Sequence, residues 1–345
     1  MDTGRVIRFC LVGLPLGVIA LGVGSVAYTH FLNDPGAEPE EEIEKRNTVA
    51  GMMRSEISTE DLRRSLGILA GDIGERHFER YESLRTAALW IESTLGPNNL
   101  GYAMRRQTYQ VEGRDVWNVI AELPGTSRAD EVVVVGAHYD TVPECPGAND
   151  NGTGVVAAMA LAKAFAGSRN ARTLQVVAFV NEEPPYYKTD EMGSAVFARD
   201  CRQSGIKIAG MLCLETMGCY SDEPGSQKYP PGLEGHFPEA GNFIALVGNE
   251  TSRSLVEAVE SAYAASGSSV PALAGAFPEE IEGVGWSDHW SFWRAGYPAL
   301  MATDTAPFRY AHYHQPEDTV DRIDFDRLAE VTRGLEAAVR ALLNP

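Results

Sequence analysis

The stretch EVVVVGAHYDTVPECPGANDNGTG, residues 131–154, decides how this chain folds. Four consecutive valines read as a strand buried on both faces, as in a parallel sheet covered by helices. Directly behind them stand His138, Asp140 and Asp150, in a loop broken by Pro143, Pro146, Gly147 and Gly152. In open α/β sheets, ligands bind in the crevice at the carboxyl ends of strands. The polar loop therefore falls where a site is expected, and the strand supplies its rigid support.

Working outward, the same arrangement recurs. LQVVAFV (174–180) is followed by Glu182 and Glu183, and AGMLCLE (209–215) ends on Glu215. VWNVIAEL (116–123), NFIALVG (242–248) and YPALMAT (297–303) supply further strands, while GVVAAMALAKAFA (154–166) and DRLAEVTRGLEAAVRALL (326–343) carry helical periodicity. Leu84, Ala87, Ala88, Ile91 and Leu95 share one face of another helix, with Ser83 as its expected cap and Gly96 as its end. This alternation over residues 58–345 predicts an α/β fold: a single three-layer α/β/α domain with a mostly parallel, mixed central sheet. Three successive strand ends then bring an imidazole and several carboxylates to one edge.

The chain has 345 residues and a formal net charge of −19, which argues against nucleic acid or an anionic lipid surface as a partner. Residues 9–28, FCLVGLPLGVIALGVGSVAY, carry no charge and follow Arg5 and Arg8. About twenty apolar residues suffice to span a bilayer. Acidic residues follow in EPEEEIEK (38–45), so the reading is a cytoplasmic N-terminus over 1–8, a transmembrane anchor over 9–31 and an acidic tether over 32–57. The membrane is then met through the N-terminal segment only, and the main domain lies outside the cytoplasm. Ser25-Val26-Ala27 leaves a cleaved signal peptide, and a secreted protein, as the alternative. Cys145, Cys201, Cys213 and Cys219 fall in the main domain; a Cys213–Cys219 bridge is conceivable, but spacing does not establish it.

Carboxylates and imidazoles without paired thiolates suit zinc or a related divalent ion. Crowded carboxylates repel unless cations or protons compensate them, and two metals sharing one carboxylate would do so. Asp150 taken alone reads equally well as the N-cap of the next helix. No GxSxG elbow exists, so Ser287, Asp288 and His289 are expected to serve structure or to support the site rather than form a triad. The loops 184–191 and 221–240 are long enough to rim a cleft, and Trp286, Trp290, Phe292 and Trp293 read as core.

Six segments, HYD (138–140), PGANDNGTG (146–154), NEE (181–183), LETMG (214–218), SDH (287–289) and YHQPEDT (313–319), together resemble a known family. They are similar, in this order over residues 60–345, to the co-catalytic zinc aminopeptidases related to bacterial leucyl aminopeptidases and glutamate carboxypeptidase. The resemblance implies two zinc ions. His138 and Glu215 would hold one, Glu183 and His314 the other, and Asp150 would bridge both. The family commonly has aspartate where Glu215 stands, so its binding mode is left open. Glu182 would be the general base that moves a proton from water to the leaving amine. Asp140 would orient His138, with loop capping as its plainer role, and Tyr313 would steady the oxyanion as in some relatives. His312 is the rival to His314, which the YHxPxDT context favours. A cis peptide is implied at Asp150–Asn151.

The activity implied is a zinc-dependent exopeptidase, an aminopeptidase acting on the N-termini of peptides or on small amides. A glutaminyl cyclase, which shares the fold and much of the metal set, is the alternative. A catalytically silent binding ectodomain, as in transferrin receptors, is the remaining one. Sequence leaves side-chain preference and oligomeric state open.

Overall fold

Successive side chains of a strand point to opposite faces, and β3 (Arg128–His138) feeds two separate cores this way. Val133, Val135 and Ala137 join one apolar cluster, and Val132 and Val134 the other. The computed structural model describes residues 57–231, 233 and 235–345. The expected cytoplasmic N-terminus, the anchor or signal segment and the tether up to residue 56 lie outside the described residues. No helix among the described residues is long and apolar enough to cross a membrane.

The remaining strands are β1 (Ala103–Val111), β2 (Arg114–Leu123), β4 (Arg172–Phe179), β5 (Lys207–Glu215), β6 (Ile244–Gly248), β7 (Ala272–Ala276) and β8 (Ala299–Thr303). They form one sheet in the order β1-β2-β4-β3-β5-β8-β6-β7. Its centre, β4-β3-β5-β8, is parallel throughout. Antiparallel pairs flank it at β1-β2, β2-β4 and β8-β6. The helices are α1 (Thr59–Leu66), α2 (Tyr81–Leu95), α3 (Gly154–Phe165), α4 (Gly193–Gln203), α5 (Arg253–Ala265), α6 (His289–Arg294) and α7 (Phe325–Leu343). Phe197 of α4 and Phe292 of α6 pack on one face of the sheet. The other face carries Leu62, Leu84, Leu161, Val259 and Leu335 from α1, α2, α3, α5 and α7. The three-layer expectation is met.

Several local expectations need correction. Helix α2 starts at Tyr81 without a side-chain cap, so Ser83 lies inside it. Ile57, placed in the tether by its polar neighbours, is buried, and Arg333 donates to its carbonyl at 2.7 Å. Phe292 and Trp293 are core, but Trp286 is 38 % exposed and stacks on Phe308. Cys145, Cys201, Cys213 and Cys219 are all free thiols; Cys213 is buried within β5 and donates to Ser287.

Candidate active site and metal centre

Parallel strands put all their carboxyl ends on one edge, and the central four supply the site. His138 is the last residue of β3 and Glu215 the last of β5; Glu182 and Glu183 follow β4. The loop after β8 brings in His314. Asp150 arrives on the turn Ala148–Thr153 that opens α3, where its peptide to Asn151 is cis.

One carboxylate faces two ways. Asp150 Oδ1 lies 3.3 Å from His138 Nε2, and Oδ2 lies 3.0 Å from His314 Nε2. Around His138 Nε2 stand Glu215 at 3.3 Å and Glu182 at 3.9 Å; Glu183 is 3.4 Å from His314. Three compact donor groups result: His138-Asp150-Glu215 and Asp150-Glu183-His314, which share Asp150, and His138-Glu182-Glu183. Asp150 Oδ1, Glu183 Oε1 and His314 Nε2 are buried without any hydrogen-bond partner. Buried polar atoms are nearly always satisfied. Orphans of this kind, converging as hard oxygen and imidazole donors, fit divalent cations such as zinc.

The support around these donors was only partly foreseen. The Asp140 carboxylate accepts from the amides of Glu182 and Glu183 at 3.1 and 3.0 Å, and stands 3.6 Å from His138 Nδ1. The nearer partner of Nδ1 is the Asp140 carbonyl, at 3.2 Å. Asp140 thus fixes the glutamate pair at least as firmly as the histidine. Ser287 donates to Glu215 Oε2 at 2.6 Å, which gives the SDH segment a supporting role. Asn151 reaches the same oxygen at 3.2 Å. His312, the rival to His314, belongs to no donor group among the described residues. Asp288 is fully buried with neither oxygen hydrogen-bonded, and the structure offers no account of it.

Two organising residues escaped the sequence reading. Asp318 accepts from the amides of Asn149 and Asp150 at 2.8 and 3.0 Å, while the Tyr310 hydroxyl donates to it at 2.8 Å. Arg76 is wholly buried and donates to the carbonyls of Tyr139, Gly74, Pro146 and Gly147 at 2.6–3.0 Å. Gly147 is required there: its φ is +62°, and a Cβ would meet Thr141 Cγ2 at 2.3 Å. The Arg76→Met variant leaves four carbonyls without their donor. It should lose about 3 kcal/mol or more of unfolding free energy, read from urea titration of metal-free protein. A loss under about 1 kcal/mol, the worth of one ordinary hydrogen bond, would show that water replaces the guanidinium.

Several non-glycine residues around the donors hold left-handed backbone: Asn181 (φ 60°), Thr216 (φ 43°) and His314 (φ 57°). Such conformations persist where surrounding contacts enforce them.

Charges here are badly matched without cations. Burial pushes Glu182 well above the carboxylate range, with Glu183 and Glu215 adding to it against the pull of His138. Burial and then Asp150 raise Glu183 to about 7. Burial opposes protonation of His314, but Asp150 and Glu183 outweigh it and lift the imidazole to about 10. The sign for stability follows directly. Both Glu183, ordinarily near 4.5, and His314, ordinarily near 6.5, bind protons more tightly when folded. The stability they contribute is complete below those ordinary values and is lost as pH rises through about 7 and about 10. Metal-free protein should therefore melt at falling temperature from mildly acid to alkaline buffer. Zinc, taking the place of those protons, should remove much of that fall. A melting temperature that climbs with pH in chelator would contradict the charge assignment.

Comparison with known proteins bears on family and fold. The uncharacterized protein YfbL of Escherichia coli K12 is 32% identical over 288 residues, covering 81% of this chain and 86% of that one. A probable leucine aminopeptidase 1 of Trichophyton verrucosum is 28% identical over 322 residues, covering 88% and 79%. The zinc aminopeptidase BSAP of Bacillus subtilis superposes with a TM-score of 0.66 at 16% identity, over 84% of this chain and 96% of that one. The glutaminyl cyclase of Fimbriiglobus ruber gives 0.61 at 20%, over 83% and 95%. Those two structural likenesses are of fold alone. Residues 118–339 match the profile of Peptidase family M28, and since they make up well over half of the sequence, the chain belongs to that family.

Proposed function

We propose that the protein is a zinc-dependent aminopeptidase holding two ions, one between His138, Asp150 and Glu215 and the other between Asp150, Glu183 and His314. The observation that carries this reading is the Asp150 carboxylate, whose two oxygens face different imidazoles. Bound zinc would supply Lewis acidity, making water a nucleophile near neutral pH and polarising the scissile carbonyl.

The chain's own residues do the rest. Glu182 sits farther from His138 Nε2 than the two nearer carboxylates, at 3.9 Å, and its proton affinity is raised by burial. It is placed to take a proton from water and hand it to the departing amine. Tyr313 stacks on the His314 ring with centroids 3.9 Å apart and lines the adjoining cavity, where its hydroxyl can meet a developing oxyanion. That cavity is walled by Leu233, Phe237, Phe277, Met301 and Phe308. An apolar wall suits a large apolar side chain on the residue being removed. We assign residues 9–31 to an N-terminal anchor, with catalysis outside the cytoplasm; their uncharged composition and the acidic segment that follows support this.

The test is metal analysis of the purified chain with assays on leucine anilide and on an N-terminal glutaminyl peptide, with and without chelator. Two zinc ions and chelator-sensitive release of leucine are expected. One zinc with cyclisation of the glutaminyl peptide would favour a glutaminyl cyclase. Bound zinc with neither reaction would leave a silent binding domain.

A further inference from the structure

The loop 184–191, between Glu183 and α4, carries a cation that the proposed chemistry leaves unused. Lys188 is half-buried, with its ammonium 5.2 Å from the ring centre of Tyr187 and 5.2 Å from that of Trp290. Lys163 and Lys207 pair with Asp61 and Asp130, whereas among the described residues no carboxylate lies within 4.0 Å of Lys188. In a chain of net charge −19, this ammonium is held by aromatic faces instead of an acid. Its backbone is held at φ 55°, an uncommon conformation for lysine that fixes where the side chain departs.

Its position relates it to the site. Nζ lies 3.9 Å from where a Cβ on Gly285 would stand, against the segment that continues into Trp286 on the cavity wall. Glu182 and Glu279 are the acids whose fields oppose the effect of its burial. The neighbouring Tyr187 hydroxyl is buried without a partner, and Glu182 leads the charges acting on it. The loop leaves the sheet directly behind Glu182 and Glu183, whereas the apolar cavity is lined by Glu215 and Tyr313 and by neither of those two glutamates. A base that passes its proton to the leaving amine must stand beside the residue that leaves.

Resting on the aminopeptidase reading, we propose that Lys188 selects substrates whose leaving residue carries a carboxylate. Two sources share this chemistry: the α-carboxylate of a dipeptide, and the side chain of an acidic second residue in a longer peptide. A compact ammonium, oriented by two rings and lacking an acid of its own, suits a single carboxylate. The surrounding acidity would otherwise disfavour anionic substrates, so a preference for them requires a local cation.

The experiment compares kcat/KM for Leu-Gly with Leu-Gly-amide, and for Leu-Asp-amide with Leu-Asn-amide, using the zinc-loaded full chain. The wild type should favour the charged member of at least one pair by about tenfold, chiefly through KM and less so as salt is added. The first pair reports the α-carboxylate and the second the acidic side chain. Lys188→Met should bring the favoured ratio down to about one or below, and Lys188→Arg should keep most of it. Equal rates within both pairs for the wild type, or an unchanged ratio in Lys188→Met, would overturn the proposal. A wild type that cleaves none of these peptides and cyclises glutaminyl peptides would overturn the aminopeptidase reading, and this one with it.

Discussion

Replacing Glu182 by glutamine should lower kcat by about 10²–10⁴-fold, the usual worth of a positioned general base, with zinc content unchanged. The amide keeps the size of the side chain and its place behind β4, where Asp140 holds the adjoining backbone amide at 3.1 Å. What it loses is the ability to accept a proton near neutral pH. Glu182 also belongs to a possible donor group with His138 and Glu183, so ligation is the competing role. Metal analysis separates the two. A Glu182→Gln protein that is inactive and depleted of zinc would make Glu182 a ligand, and one that is fully active would remove it from the chemistry.

Asp150→Asn should have a still wider effect, because the two donor groups proposed to hold the ions share that carboxylate. Loss of a partner outside the metal's own ligands typically costs about 10–100-fold in affinity or activity. Losing the shared ligand should exceed this, with zinc stoichiometry falling below two and activity lost. The fold should survive. The Asp318 carboxylate accepts from the backbone amides of residues 149 and 150, so the turn keeps its anchor when the side chain changes. Circular dichroism together with metal titration would check both statements. Retention of two tightly bound ions would dismiss the bridge.

The central strands and the chemistry at their ends were legible because each is announced locally. A short apolar run shows itself, and His138, Glu182, Glu183 and Glu215 directly end or follow one. β1 was missed since AMRRQTYQV lies largely exposed at the sheet edge and has no apolar run. β7, ALAGA, is short and built of small residues with weak strand preference. Long-range support was illegible for another reason. Asp318 stands within YHQPEDT, but nothing near it says that it caps amides 168 residues upstream. Arg76 carried no signal in the sequence, since its acceptors are backbone carbonyls that carry no residue type. Trp286 was assigned to the core by its aromatic neighbours, although it forms part of the cavity wall.

The left-handed residues at the strand ends bear on how the protein could be engineered. Glycine adopts that backbone with little penalty, so Asn181→Gly, Thr216→Gly or His314→Gly relieves a local conformational cost. Directed evolution scored only on heat resistance would be drawn toward such positions, and at His314 the gain would come with loss of a donor. Selection for thermotolerance should therefore be coupled to a turnover screen from its first round.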